Sequence, residues 1–175
     1  MSIFVRKIDK AKWLQTDLHQ NIDYSADAIT SCLRTTQNTL SVWEVESETD
    51  IDEAVLAIIS GPKYGHPFET IDIVLMSPNY LKEQGINCRR TNGSTLVDDL
   101  VEKHIDISNL TYKSLGMVAY HIVEKIKDEK VVRRTKAKLM EILNQAISRN
   151  RLNPDRLTDS IRETLGLTKR NIDVL

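Results

Sequence analysis

The chain has 175 residues, 41% of them hydrophobic and 28% charged, with a formal net charge of −1 and two widely separated cysteines. This size and composition predict one soluble globular domain whose core needs no disulfide or metal, and the cysteine usage favours a reducing cytoplasm. No apolar stretch approaches the roughly 20 residues of a membrane span, and an aromatic share of 5% argues against a surface that stacks single-stranded nucleic acid.

Strand patterns dominate the first half of the chain. Apolar residues that alternate with polar ones or form short runs bounded by turn residues predict strands over 2–8, 39–45, 69–77 and 86–91. The run 69–77 is interrupted by Asp72 alone, which is typical of a buried strand. We expect five apolar side chains of these strands to lie in the core: Leu40, Val42, Ile71, Ile73 and Leu75.

Two helices are predicted between these strands. Asp50 and Glu53 form a capping-box-like start for a helix over 51–60, and Gly61 followed by proline ends it. Ser77 and Pro78 are typical of a helix N-cap and first helical position. A short helix is therefore expected directly after the strand 69–77.

From residue 97 onward the periodicity changes to a helical one. Thr111 is a candidate N-cap for an amphipathic helix that contains Gly116, a long helix is predicted from Glu129 to Asn150, and Asn153 opens a last one. The order of elements predicts an α+β fold, or a small α/β fold. We expect a domain over 1–107 with a mixed sheet and short helices, and a three-helix region over 108–175.

Charge is divided unevenly along the chain, since residues 130–175 carry a net +6 and the preceding residues a net −7. An uneven division is typical of an anionic partner, of self-association or of ordinary solvated helix surface. On a helix Lys130, Arg133 and Arg134 would share one face. The candidate contacts for a protein or nucleic-acid partner are Lys130, Arg133, Arg134, Leu139, Leu143, Arg149 and Arg151. The apolar positions among them would otherwise close onto the N-terminal domain.

His104 and Asp106 form the most enzyme-like local feature, because a carboxylate near an imidazole can fix its tautomer and raise its basicity. The alternative is a polar loop before the helix that begins near Thr111. The histidines and cysteines show no zinc spacing, the glycines no phosphate-loop motif, and the acidic residues no nuclease pattern. The sequence thus predicts no catalytic, cofactor-binding or metal-binding residue, and a protein that is not an enzyme.

Three segments, MSIFVRKIDKAKW, TLSVWEV and LTYKSLGMVAYHIVEKI, resemble the small middle subunits of bacterial anti-phage systems of the Lamassu or ABC three-component kind. In such systems the small subunit is associated with an SMC-like ATPase and an effector protein, often a nuclease. The resemblance implies a complex-forming, non-catalytic accessory subunit and transfers no functional residue. A nucleic-acid-binding module that uses the basic C-terminal helices, and a small hydrolase or nuclease, remain as alternatives.

Overall fold

A computed structural model describes residues 2–14, 25–61 and 69–167 and contains a six-stranded sheet. The strands are β1 (Ile3–Ile8), β2 (Leu40–Val45), β3 (Ile71–Met76), β4 (Asn87–Arg90), β5 (His104–Ser108) and β6 (Val131–Arg134). Their order across the sheet is β4-β5-β2-β1-β3-β6, and every neighbouring pair is antiparallel. The predicted α+β class is confirmed, although this sheet is antiparallel where a mixed one was expected.

Helices cover both faces of the sheet. They are α1 (Lys10–Trp13), α2 (Ala26–Cys32), α3 (Ile51–Ile59), α4 (Pro78–Glu83), α5 (Tyr112–Lys127), α6 (Lys136–Ser148) and α7 (Asp159–Thr164). Short 3-10 helices span Glu48–Asp50, Asp98–Lys103 and Pro154–Arg156. We call the side packed by α3, α6 and α7 the first face, and the side packed by α1, α2, α4 and α5 the second face. Among the described residues, no helix has the length and apolar character needed to cross a membrane.

The two faces arise from alternation along the strands, since successive side chains of a strand point to opposite sides. Trp43 of β2 packs into the first face and Val42 into the second. All six residues of β3 are buried, as a strand covered by helices on both sides requires. The predicted burial of Leu40, Val42, Ile71, Ile73 and Leu75 is confirmed.

Two of the predicted N-cap side chains bond to the first turn of their helix, and a third does not. Ser77 Oγ accepts the backbone N–H of Tyr80 at the start of α4, and Thr111 forms a capping box with Ser114 at the start of α5. Asp50 makes no side-chain cap bond to α3, because its carboxylate instead accepts the hydroxyl of Ser47 at 2.7 Å.

The long helix predicted from Glu129 is wrong in its first turns, because residues 131–134 form β6. Glu129 adopts a positive φ of 58° and ends α5, while the N–H of Lys130 bonds back to the carbonyl of Lys125. The chain then runs along β3 until Thr135 caps α6 by accepting the N–H of Lys138. The basic residues of this segment therefore do not share a helix face, and adjacent residues of β6 point to opposite sides of the sheet.

Candidate functional site in a split of the central sheet

The central sheet divides between β1 and β2. These strands pair only from Ile3 opposite Val45 to Val5 opposite Trp43. Beyond that point β1 continues to Ile8 along β3, whereas β2 continues back to Leu40 along β5. The two halves of the sheet therefore diverge, and the backbone edges that face the gap lack the ladder hydrogen bonds of an intact sheet.

A crevice of about 500 Å³ lies at this split. That volume falls within the range of small-molecule sites, roughly 300–1,000 Å³. Both strands, α2, α3 and β5 contribute to it, and its polar and aromatic lining includes Arg6, Ser31, Ser41, Trp43, Ser94 and His104.

Arg6 spans the split. Its Nε donates to the carbonyl of Cys32 at 2.9 Å, at the C-terminal end of α2, and its Nη1 donates to the carbonyl of Ser41 at 2.6 Å. Burial lowers the pKa of Arg6 to about 10. Within the described part of the chain no carboxylate pairs with this guanidinium. Its partners among the described residues are neutral carbonyl groups, so none of these residues supplies a counter-ion.

His104 is oriented by a chain of hydrogen bonds along β5. The Thr91 hydroxyl donates to Asp106 Oδ2 at 3.0 Å and lies 2.8 Å from His104 Nδ1. Because the hydroxyl proton is donated to the carboxylate, the hydroxyl oxygen accepts a hydrogen bond from the N–H of His104 Nδ1, and Nε2 then carries the lone pair. Burial lowers the pKa of His104 and the charge of Asp106 opposes that shift, so the ring is neutral near pH 7.

The loop before the Asp98–Lys103 helix packs tightly on this histidine. A Cβ built on Gly93 would lie 2.7 Å from His104 Cβ and would also collide with the indole of Trp43, so only glycine fits there. The rings of Trp43 and His104 meet edge to face, with their centroids 5.1 Å apart. His104 and Asp106 are therefore not in a polar loop, as the alternative interpretation held, but on one side of a strand.

The apolar candidates for partner contacts lie in the core. Leu139 and Leu143 of α6 are both 0% exposed and pack in the cluster of the first face with α3 and the sheet. They offer no exposed stripe, which corrects the expected position of these side chains. The apolar side of α6 packs against the sheet, because α6 is the main helix that covers the first face.

Four of the basic candidates are engaged with carboxylates of the preceding chain. Nitrogen–oxygen distances are 2.8 Å for Lys130 with Glu48, 2.9 Å for Arg133 with Asp72, 2.7 Å for Arg134 with Asp52 and 2.6 Å for Arg151 with Glu53. Arg149 is exposed, with no ion pair to a described residue. Opposite charges that the sequence places in different halves of the chain thus meet in the fold. The pairs of Arg134 and Arg151 with residues of α3 lie on the first face, whereas Arg133 and Asp72 point to the second.

The described residues were compared with the requirements of a metal site, and the chain with known proteins. Over residues 2–14, 25–61 and 69–167, no group of three or more His, Cys, Asp or Glu side chains is placed to hold a metal ion, and Cys32 and Cys88 are free thiols. The crevice could not be foreseen from the sequence, because its residues come from six separated segments of the chain. Comparison with protein-family models, curated proteins and solved structures finds no match to this chain.

Proposed function

We propose that the chain is a non-catalytic accessory subunit of a bacterial multi-protein complex, acting in the cytoplasm by binding protein partners. Anti-phage defence with an SMC-like ATPase and an effector nuclease is the setting that the sequence resemblance implies. One observation supports this proposal above the others: an exposed face on α5 that the fold itself does not need.

That face consists of Tyr112, Gly116 and Tyr120, which are spaced by four residues and so lie on one side of the helix. Tyr112 is 96% exposed and Tyr120 is 38% exposed. Tyrosine is enriched in protein–protein interfaces, because it contributes a large rigid surface with a polar group and loses little side-chain entropy. We call these three residues the tyrosine face.

Among the described residues, nothing requires a glycine at position 116. No atom outside the surrounding turns of α5 lies within 4 Å of a Cβ built there, and its φ is not positive. Glycine inside a helix costs about 1 kcal/mol relative to alanine. A gap between two tyrosines lets the backbone of a partner approach α5 closely, which would account for a residue that otherwise only weakens the helix.

The two alternatives have less support. A nucleic-acid interface would have to break the ion pairs of Lys130, Arg133, Arg134 and Arg151 before these groups could bind phosphates. A hydrolase is favoured by the oriented His104. However, the only hydroxyl or thiol hydrogen-bonded to that ring within the described residues is Thr91, on Nδ1, so Nε2 has no nucleophile to activate.

The test is assembly with the products of the neighbouring genes. The chain is co-expressed with them, and complex formation is measured by size-exclusion chromatography and by titration of the purified partner. Gly116→Trp should weaken the complex by about tenfold or more, because it fills the gap in the interface. Ala137→Trp, at an exposed position of α6, is the matched control and should bind as the wild type does.

Both substitutions fall at exposed helix positions, so circular dichroism and thermal unfolding should remain close to wild type. The proposal is wrong if the wild type assembles with none of these products. It is also wrong, as far as the tyrosine face is concerned, if Gly116→Trp and Ala137→Trp bind equally well.

A further inference from the structure

We propose that the crevice in the split sheet binds a small organic anion, whose carboxylate or phosphate group pairs with the guanidinium of Arg6. This inference concerns a different surface from the tyrosine face and does not depend on the proposed function.

The first argument is the missing counter-ion. A buried charge is costly unless it is paired, and buried arginines are normally satisfied by carboxylates or phosphates. Arg133, Arg134 and Arg151 each have a carboxylate partner. Arg6 is half-buried, as Arg134 and Arg151 are, and binds only carbonyl oxygens of the described chain.

The second argument is the geometry of the guanidinium. Arginine carries five N–H groups in a planar fork, which matches the two oxygens of a carboxylate or phosphate. The bonds to the carbonyls of Cys32 and Ser41 hold the fork in place between α2 and β2 but leave N–H groups without a partner among the described residues. A fixed cation with unused donors at the wall of a crevice is a preorganised anion site.

The third argument is the remaining lining. Ile8, Trp43 and Ile58 give the crevice an apolar and aromatic side, which suits an organic body rather than an inorganic ion alone. Neutral His104 adds an imidazole nitrogen. Asp9 also lines the crevice, but its carboxylate lies 3.6 Å from the ammonium of Lys12, which partly neutralises it.

Isothermal titration calorimetry with three probes of one shape tests this inference. Benzoate carries a carboxylate, phenyl phosphate carries a phosphate, and benzyl alcohol is their neutral control. At constant ionic strength we expect saturable binding of benzoate or phenyl phosphate and none of benzyl alcohol. Whichever anion binds more tightly identifies the oxyanion that the site prefers.

Variants locate the binding. Arg6→Met should weaken binding of the preferred anion by about tenfold or more, whereas Arg89→Met, at an exposed arginine of β4, should leave it unchanged. Because Arg6→Met could unfold the chain, a second pair of variants uses Ser31, an exposed residue at the crevice beside Cys32. Ser31→Glu should supply an internal carboxylate and abolish anion binding, while Ser31→Gln, of equal size and no charge, should retain it.

The inference is overturned if neither anion saturates the wild type, or if benzyl alcohol binds as tightly as the anions. It is equally overturned if folded Arg6→Met binds as the wild type does, or if Ser31→Glu and Ser31→Gln bind alike. None of these outcomes depends on assembly with a protein partner, so the proposed function is tested separately.

Discussion

The first face of the sheet differs from the second face and the adjoining crevice in one respect. Its charged and apolar side chains find their partners within the fold more completely. On the first face, α6 packs its leucines against α3, and cations of the C-terminal region meet carboxylates of the N-terminal half. On the other side, α5 exposes two tyrosines around a glycine, and Arg6 at the split has no counter-ion among the described residues. A strong charge or apolar pattern in a sequence therefore indicates an interface only when it is not already matched inside the fold.

Arg151 illustrates the first face. Its guanidinium joins Glu53 of α3 to Asp99 of the 3-10 helix Asp98–Lys103, and so ties three separated segments together. Residues 130–175 carry a net charge of +6 and the preceding residues a net charge of −7. Much of this opposite charge is paired in contacts of this kind. Arg6 is the contrasting case, since nothing in its neighbourhood in the sequence distinguishes it from a surface cation.

The largest effect is expected from the core of the first face. Leu143→Ala should lower the free energy of unfolding by about 2–5 kcal/mol, because it leaves a cavity in a closely packed cluster. Urea unfolding monitored by circular dichroism measures this change. Met140→Ala, at a half-buried position of the same helix, should cost clearly less. If Leu143→Ala has the same free energy of unfolding as the wild type, this leucine contacts a partner rather than the core.

The second face should respond to pH through His121. Its Nε2 accepts the N–H of Ser77 at 2.9 Å, and its ring stacks on Tyr80 with centroids 4.1 Å apart. Burial, reinforced by the charge of Lys125 and opposed by that of Asp128, lowers the pKa of His121 from 6.5 to about 4.

A histidine whose pKa is lowered by folding binds a proton more readily in the unfolded state. Stability is therefore complete above pH 6.5 and is lost as the pH falls toward 4, by about 3 kcal/mol for a shift of this size. His121→Gln, whose amide oxygen can accept the same N–H, should reduce the change in the free energy of unfolding between pH 7 and pH 4. Some of this change will remain, because burial also lowers the pKa of His104. If the free energy of unfolding depends on pH equally in His121→Gln and in the wild type, this assignment is wrong.

The parts of the fold that were predictable are those with a clear local period. The strand over 39–45, the strand over 69–77, the helix after Asp50 and the helix capped by Thr111 all follow from patterns within about ten residues. The sequence does not predict β5, because only two apolar residues, Ile105 and Ile107, alternate with polar ones over its five residues.

The rest depended on information that no local pattern carries. The end of α5 is set by a positive φ at Glu129, a residue type that rarely adopts it, so the sequence predicts the start of a helix where β6 lies. The crevice depends on the strand order and on where the β1–β2 pairing stops, both of which follow from long-range packing. Arg6 could not be recognised as a site residue without that topology.

The smallest expected effect concerns the ion pairs of the first face, and it separates a structural clamp from a nucleic-acid contact. The side chain of Arg151 is 24% exposed, and its nitrogens lie 2.6–3.1 Å from the oxygens of Glu53 and Asp99. Both carboxylates raise its pKa, and it is charged at any pH at which the protein folds. Since the partners are largely solvated, Arg151→Met should lower the free energy of unfolding by only about 1 kcal/mol.

Arg149→Met is the matched control, because Arg149 is exposed and has no ion pair to a described residue; its free energy of unfolding should stay within about 0.5 kcal/mol of wild type. Repeating both measurements in about 1 M salt should shrink the Arg151 effect, since the Debye length there is about 3 Å. If Arg151→Met leaves stability unchanged at low salt but abolishes binding to DNA, the residue is a nucleic-acid contact and the clamp interpretation fails. A stability loss that salt reduces, with Arg149→Met unaffected, would instead establish that the positive charge of the C-terminal region is used inside the fold.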